Sequence, residues 1–251
     1  EFRRVLFRSK ELKLGDIHEI VESVEYHDRR QYITDLFSKM VELRRNKRAD
    51  HLIRRAGFPT PATLDQYEFD PITFPSSIDK EGLLSLGFIE RKENILMLGS
   101  TGTGKTHLSI ALGIRACSEG KSVLFYRVAD LTSELEVRHK QGQAAGLINK
   151  LTTADLLILD EMGYVPFSKT ASELLFSVVS KSYQTQSLIV TSNLEFGRWS
   201  EIFGDHRLTA ALVDRLVHHS HILVFSGKSY RLRQAMEAQR NETDPSTRPV
   251  D

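Results

Sequence analysis

The chain has 251 residues, enough for one moderate domain with an appendage or for two small domains. Hydrophobic residues make up 40% and charged residues 27%, as expected of a globular chain, and a formal net charge of +1 gives no whole-molecule field to attract a polyanion. No apolar run approaches the ~18 residues of a membrane span, and a single cysteine, Cys117, excludes an internal disulfide and suits a reducing compartment, so a cytoplasmic setting with no membrane partner is expected.

In chain order, Glu1-Phe-Arg-Arg-Val-Leu-Phe-Arg-Ser9 lacks the long apolar centre and small-residue cleavage site of a signal peptide. Arg4-Val-Leu-Phe-Arg-Ser9 resembles the translation of a sequencing adaptor, so residues 1–9 are set aside as a non-native leader. Residues 10–57 read as a helical, basic N-terminal region. Tyr32, Ile33, Leu36, Phe37, Met40 and Val41 recur at a four-residue step, which puts them on one helical face. Between Lys39 and Arg55 seven basic residues (Lys39, Arg44, Arg45, Lys47, Arg48, Arg54, Arg55) outweigh two acids, Glu42 and Asp50. Such a stripe suits phosphate contact and equally a solvated helix face. Gly57-Phe-Pro-Thr-Pro61 ends the helix. Residues 58–80 form a linker in which Pro59, Pro61, Pro71 and Pro75 alternate with Tyr67, Phe69 and Phe74; a linker this aromatic is expected to lie against a surface.

From Gly82 strand and helix patterns alternate, the signature of a parallel sheet covered on both faces, and residues 81–240 read as one α/β domain. Strands are expected at 94–98, 122–126, 156–159, 187–190 and 221–225, and helices at 107–116, 130–137, 144–151, 171–179 and 210–216, with a short basic helix from Ser229. Residues 241–251, with Asn, Asp, Pro, Ser and Thr, read as a disordered tail.

Chemistry concentrates in Gly99-Ser100-Thr101-Gly102-Thr103-Gly104-Lys105-Thr106, which fits the phosphate-binding pattern G-x-x-x-x-G-K-S/T at every specified position. Glycines let a backbone approach a polyphosphate and take φ > 0, and the helix that follows turns its positive end to the same point. Lys105 would reach the β- and γ-phosphates of ATP, and the Thr106 hydroxyl would hold Mg²⁺. In Leu156-Leu-Ile-Leu-Asp160-Glu161 the first acid falls 55 residues after Lys105. Its acids fall at the carboxyl end of a strand, where parallel sheets gather ligands. Asp160 is the candidate metal residue and Glu161 the candidate base for an attacking water. The strand ending in Thr191-Ser192-Asn193 offers a polar group to the γ-phosphate or the water; Asn193 is preferred, with Thr191 as the alternative. Arg215, in Val213-Asp-Arg-Leu216, is either an ion-pair partner of Asp214 or Asp205 or an arginine supplied to a neighbour's nucleotide, with Arg207 the competing candidate. Arg231, in Gly227-Lys-Ser-Tyr-Arg231, can reach a phosphate from the C-terminal helix. His218, His219 and His221 are not read as a metal site, because no cysteine or close carboxylate joins them.

These segments, with His107 closing the first and Met162-Gly-Tyr164 the second, resemble the IstB-like ATP-binding proteins, AAA+ ATPases related to the DnaC helicase loader, from about residue 25 to 236. The resemblance implies a P-loop NTPase of AAA+ type, with a five-stranded parallel sheet in strand order 5-1-4-3-2, flanked by helices and preceded by a small helical region. It implies nucleotide contact by the loop residues and His107, an arginine finger acting between subunits, for which Arg215 is favoured, and homo-oligomers when ATP is bound. It also implies non-specific DNA binding and regulation of a partner transposase in insertion-sequence transposition. The helical N-terminal part resembles the family's partner- and DNA-contacting region. The phosphate loop departs from the family, which usually has a proline where this chain has Ser100-Thr101. A DnaC-like replicative helicase loader is the alternative function. A small-molecule kinase would need an acceptor pocket and lid arginines, of which the sequence has no clear set.

Overall fold

The computed structural model describes residues 17–25, 28–65, 67–227, 229 and 230. The leader at 1–9, the tail at 241–251 and the candidate Arg231 lie outside them. By compactness the chain divides into two units at His51/Leu52.

The first unit contains α1 (Ile17–Ser23) and most of α2 (Arg29–Ala56). The helical region is thus broken between them. Asp28 starts α2 by accepting hydrogen bonds from the backbone N–H groups of Arg30 and Gln31 at 2.7 and 3.0 Å, as an N-cap does. Gly57, with φ +81°, ends it. Of the apolar series on this helix, Met40 is buried, whereas Ile33, Phe37 and Val41 are exposed.

The second unit is built on a sheet whose order is β1-β6-β2-β5-β4-β3. The strands are β1 (Ile72–Thr73), β2 (Asn94–Gly99), β3 (Val123–Arg127), β4 (Leu156–Met162), β5 (Ser187–Ser192) and β6 (Ser220–Phe225). The five strands β2 to β6 are parallel, and numbered among themselves they run 5-1-4-3-2. The expected five-stranded count is corrected to six: β1 pairs antiparallel with the edge strand β6, Ile72 opposite Phe225. That strand comes from the segment expected as a linker. It is two residues long, and alternation over two positions gives a sequence reading nothing to detect.

Helices α3 (Lys80–Leu84) and α4 (Gly87–Glu90) precede β2; α5 (Lys105–Ser118) follows it. Then α6 (Val128–Lys140) and α7 (Ala144–Thr152) lie between β3 and β4, α8 (Lys169–Ser182) between β4 and β5, and α9 (Ser200–Phe203) and α10 (His206–Val217) between β5 and β6. Side chains send the sheet's two faces into two cores. Ile95, Met97, Leu156, Ile158 and Ile189 join α5 on one side. Leu96, Leu157, Leu159, Leu188 and Val190 join α6, α7, α8 and α10 on the other. This strict alternation explains why the central strands read as unbroken apolar runs, since both faces are covered. Phe58, Leu64, Tyr67, Phe69 and Phe74 of the proline-rich segment pack on the α5 side.

Candidate functional site

The site is assembled at the carboxyl ends of β2, β4 and β5. β2 ends at Gly99, with φ +147°, and the loop continues through Gly102 and Gly104 at +84° and +94°. The first two positions also lack room for a side chain. A Cβ on Gly99 would stand 2.2 Å from the Phe225 carbonyl oxygen, and one on Gly102 the same distance from Ser229 Oγ. Gly104 caps α5, so the first amides of that helix open onto the loop.

The Lys105 ammonium lies within the loop. It donates to the carbonyl oxygens of Gly99 and Ser100 at 2.7 Å each and to Thr103 Oγ1 at 3.3 Å. Thr103 Oγ1 in turn donates to the Ser100 carbonyl at 2.8 Å. The loop carbonyls therefore hold a positive charge where a run of helix amides also points. A polyanion is the ligand that such an arrangement suits.

Asp160, near the end of β4, is fully buried. Thr106 Oγ1 approaches its two carboxylate oxygens at 2.9 and 3.1 Å, and Thr191 Oγ1 donates to Oδ1 at 2.7 Å. The two sequence motifs, 54 residues apart at this contact, thus meet side chain to side chain. The oxygens of Thr106 and Asp160 are hard donors suited to Mg²⁺. Among the described residues no group of three or more His, Cys, Asp or Glu could hold a metal. A cation here would take its remaining ligands from phosphate and water, as Mg²⁺ commonly does.

Glu161 is exposed and has φ +60°, in the left-handed region that non-glycine residues rarely take. The register of β4 on β5 shifts between Leu159 and Met162, so Glu161 sits at a bulge, a device that re-aims a side chain beside a site. Its backbone N–H donates to Thr191 Oγ1 at 2.9 Å. Of the polar residues closing β5, Thr191 is the one bonded to the acid pair; Asn193 lies just past the strand and is exposed.

Arg215 is placed on α10 with its guanidinium 4.9 Å from the Phe176 ring centroid and Nη1 donating to the Ala211 carbonyl at 3.0 Å. Asp205, one of its suggested partners, instead caps α10 through the backbone N–H groups of Arg207 and Leu208. The three histidines face different partners: His218 the Tyr183 hydroxyl, His219 the Gln184 amide, and His221 both Ser77 and Glu93.

Two contacts to the loop were not anticipated. The Tyr67 hydroxyl donates to the Gly104 carbonyl at 3.2 Å, and its ring stacks on His107 with centroids 5.5 Å apart. Burial pushes that phenol well above its ordinary pKa. His107 Nε2 bonds the Thr63 carbonyl at 2.7 Å. The interleaved aromatics of 58–80 were the available signal. Beyond β6, the Tyr230 N–H donates to the Gly102 carbonyl at 2.9 Å, which brings the neighbour of Arg231 onto the loop.

Residues 17–238 match the family described as IstB-like ATP binding protein. The chain is 40% identical over 189 residues to the insertion sequence IS21 putative ATP-binding protein of Pseudomonas aeruginosa, covering 74% of this chain and 70% of that one. It is 38% identical over 196 residues to the IS5376 putative ATP-binding protein of Geobacillus stearothermophilus, covering 77% of each. Among solved structures, the DnaC helicase loader superposes with a TM-score of 0.50 at 20% identity, over 65% of this chain and 96% of that one. AMPPCP-bound DnaA from Aquifex aeolicus gives 0.52 at 19% identity, over 74% of this chain and 56% of that one. These likenesses identify the fold as the α/β P-loop fold of AAA+ proteins. With a family match across most of its length, this chain belongs to the IstB-like ATP-binding proteins.

Proposed function

We propose that this protein hydrolyses ATP with Mg²⁺ and uses the cycle to regulate a partner transposase on DNA during insertion-sequence transposition. The observation that carries the reading is the meeting of Thr106 with Asp160 at the end of a loop whose carbonyls hold the Lys105 ammonium. Residues 81–240 form the ATPase domain. Gly99 to Thr106 cradle the phosphates, His107 and Arg231 add contacts to the nucleotide, and Lys105 bridges the outer two phosphates. Thr106 and Asp160 hold Mg²⁺, which supplies charge neutralisation at the phosphates. Glu161, exposed at the strand end, takes the proton of the attacking water. Asn193 orients that water or the γ-phosphate. Arg215 acts on the nucleotide of a neighbouring copy in an ATP-dependent homo-oligomer, which is consistent with its location on a helix remote in sequence from the loop. Calorimetric titration tests the base of this reading: Lys105→Ala should weaken ATP binding by about 100-fold or more. Unchanged affinity would refute it.

The partner assignment rests on relatives named as insertion-sequence ATP-binding proteins. Residues 10–57 are the DNA- and partner-facing region, because α2 carries the basic run from Lys39 to Arg55. Its contact with DNA is through phosphates and has no sequence preference, so affinity for duplex DNA should fall steeply between 50 and 200 mM salt, as is usual for such binding. An affinity flat across that range would remove the phosphate contacts from the reading.

A further inference from the structure

We infer that Thr191 is the positioning residue for Glu161: its hydroxyl holds the strained backbone that presents the proposed base. This deepens the hydrolytic reading above and rests on it.

Glu161 adopts φ +60° without being a glycine, and it does so in a strand buried on both sides of it. Such a conformation is costly for a residue with a Cβ and persists only where surrounding bonds over-determine it. One such bond is visible. The Glu161 N–H, turned out of the ladder at the bulge, is received by Thr191 Oγ1 at 2.9 Å. The same oxygen donates its proton to Asp160 Oδ1 at 2.7 Å. Thr191 is buried, so its hydroxyl has no water to exchange with and its one proton is committed to the carboxylate. The direction of both bonds is therefore fixed: Asp160 accepts, and the hydroxyl lone pair accepts from Glu161.

The consequence concerns two neighbouring acids with different tasks. Asp160 is fixed by Thr106 and Thr191, two hydroxyl donors, and is sealed inside. Among the described residues Glu161 is fixed only through its backbone, and its carboxylate is left exposed. A single hydroxyl thus locks the metal-side acid inward while turning the other outward. Ordinary alternation would also turn the Glu161 side chain away from Asp160; what the Thr191 hydroxyl adds is a hold on the bulge that sets its aim. Thr191 need not touch nucleotide for this role, which separates it from Asn193 beyond the strand end.

The test compares Thr191→Val, which keeps the shape and removes the hydroxyl, with Thr191→Ser, which keeps the hydroxyl. Both would be measured as full-length protein for affinity to a fluorescent ATP analogue and for single-turnover hydrolysis with Mg²⁺. Thr191→Val should bind within about threefold of the parent and hydrolyse about 10–100-fold more slowly, the loss expected when a buried donor is orphaned at a reacting group. Thr191→Ser should recover most of the rate. In a Glu161→Gln background, Thr191→Val should add little further loss, because it acts through the residue already disabled. If valine at this position costs the fold, Thr191→Ala is read in the same way. Full turnover in Thr191→Val while Glu161→Gln is inactive overturns this inference alone, as does a multiplicative loss in the double variant. Wild-type turnover in Glu161→Gln would instead overturn the assignment of the base, and this inference with it.

Discussion

The two ends of the parallel sheet use similar polar residues in different ways. At the amino ends of the strands, side chains bond backbone across elements. Asn94 Nδ2 donates to the Leu216 carbonyl while its Oδ1 accepts from the Leu188 N–H. Ser187 Oγ donates to the Phe88 carbonyl. Asp155 accepts from both the N–H and the hydroxyl of Ser122, and returns its own N–H to that hydroxyl. At the carboxyl ends, Lys105, Thr106, Asp160 and Thr191 bond mainly to one another and to the loop's own carbonyls. The amino end splices separate elements together and leaves little for a ligand to exchange. The carboxyl end gathers a cation, hydroxyls and a carboxylate into groups that can trade those partners for phosphate and metal. Substitutions should therefore separate: function lost at one end, stability at the other.

The largest effect is expected at Arg215. Arg215→Ala should slow hydrolysis of bound ATP by about 10³–10⁵-fold with affinity kept, as for arginines supplied between subunits. Mixing that variant with Glu161→Gln protein should restore part of the turnover, since a subunit with an intact acid pair then meets an intact arginine. Mixtures as inactive as their parts would count against action in trans. Glu161→Gln alone should retain ATP and lose about 10²–10⁴-fold in turnover. A variant that hydrolyses normally would place the base elsewhere.

The opposite end should respond in melting experiments. Asn94→Ala orphans two buried backbone groups, the Leu216 carbonyl and the Leu188 N–H, and should cost about 2–4 kcal/mol of stability while ATP affinity per folded molecule stays unchanged. A lost affinity in the folded protein would mean that the two ends are not separable. The smallest effect is a dependence on acid. Burial alone would raise the Asp155 pKa, but hydrogen bonds from Ser122 outweigh it and hold the carboxylate below its ordinary 3.8. Glu93, with burial likewise opposed by His221 and Arg91, is held below its ordinary 4.5. For lowered carboxylates the stabilisation is present above the unfolded-chain value and is lost as pH falls through the folded one. The thermal midpoint should thus drop as the pH is taken below 3.8, and Asp155→Ala should make that drop shallower. A variant curve parallel to the parent's would deny Asp155 this share.

Several local features were legible because they depend on neighbours in the chain. The glycine loop reads directly from its spacing, and the runs at 94–98, 156–159 and 187–190 read as strands because both faces of each are buried. The ends of helices were legible less well. The helix expected over 171–179 begins at Lys169, because Ser168 caps it by accepting from the Ala171 N–H.

The glycine-loop pattern and the spacing of the two acids behind it were readable from the chain alone, and the order of the five parallel strands followed from the family resemblance. Tertiary structure alone decided that the proline-rich segment supplies a sixth strand and lays Tyr67 on Gly104, and that Thr191 rather than Asn193 bonds the acid pair. Those features join residues 30 or more positions apart. The reason is physical. A motif's spacing encodes backbone geometry within a few residues, whereas the choice between Thr191 and Asn193, which alternation would place on one face, depends on where the strand ends relative to a buried charge on its neighbour.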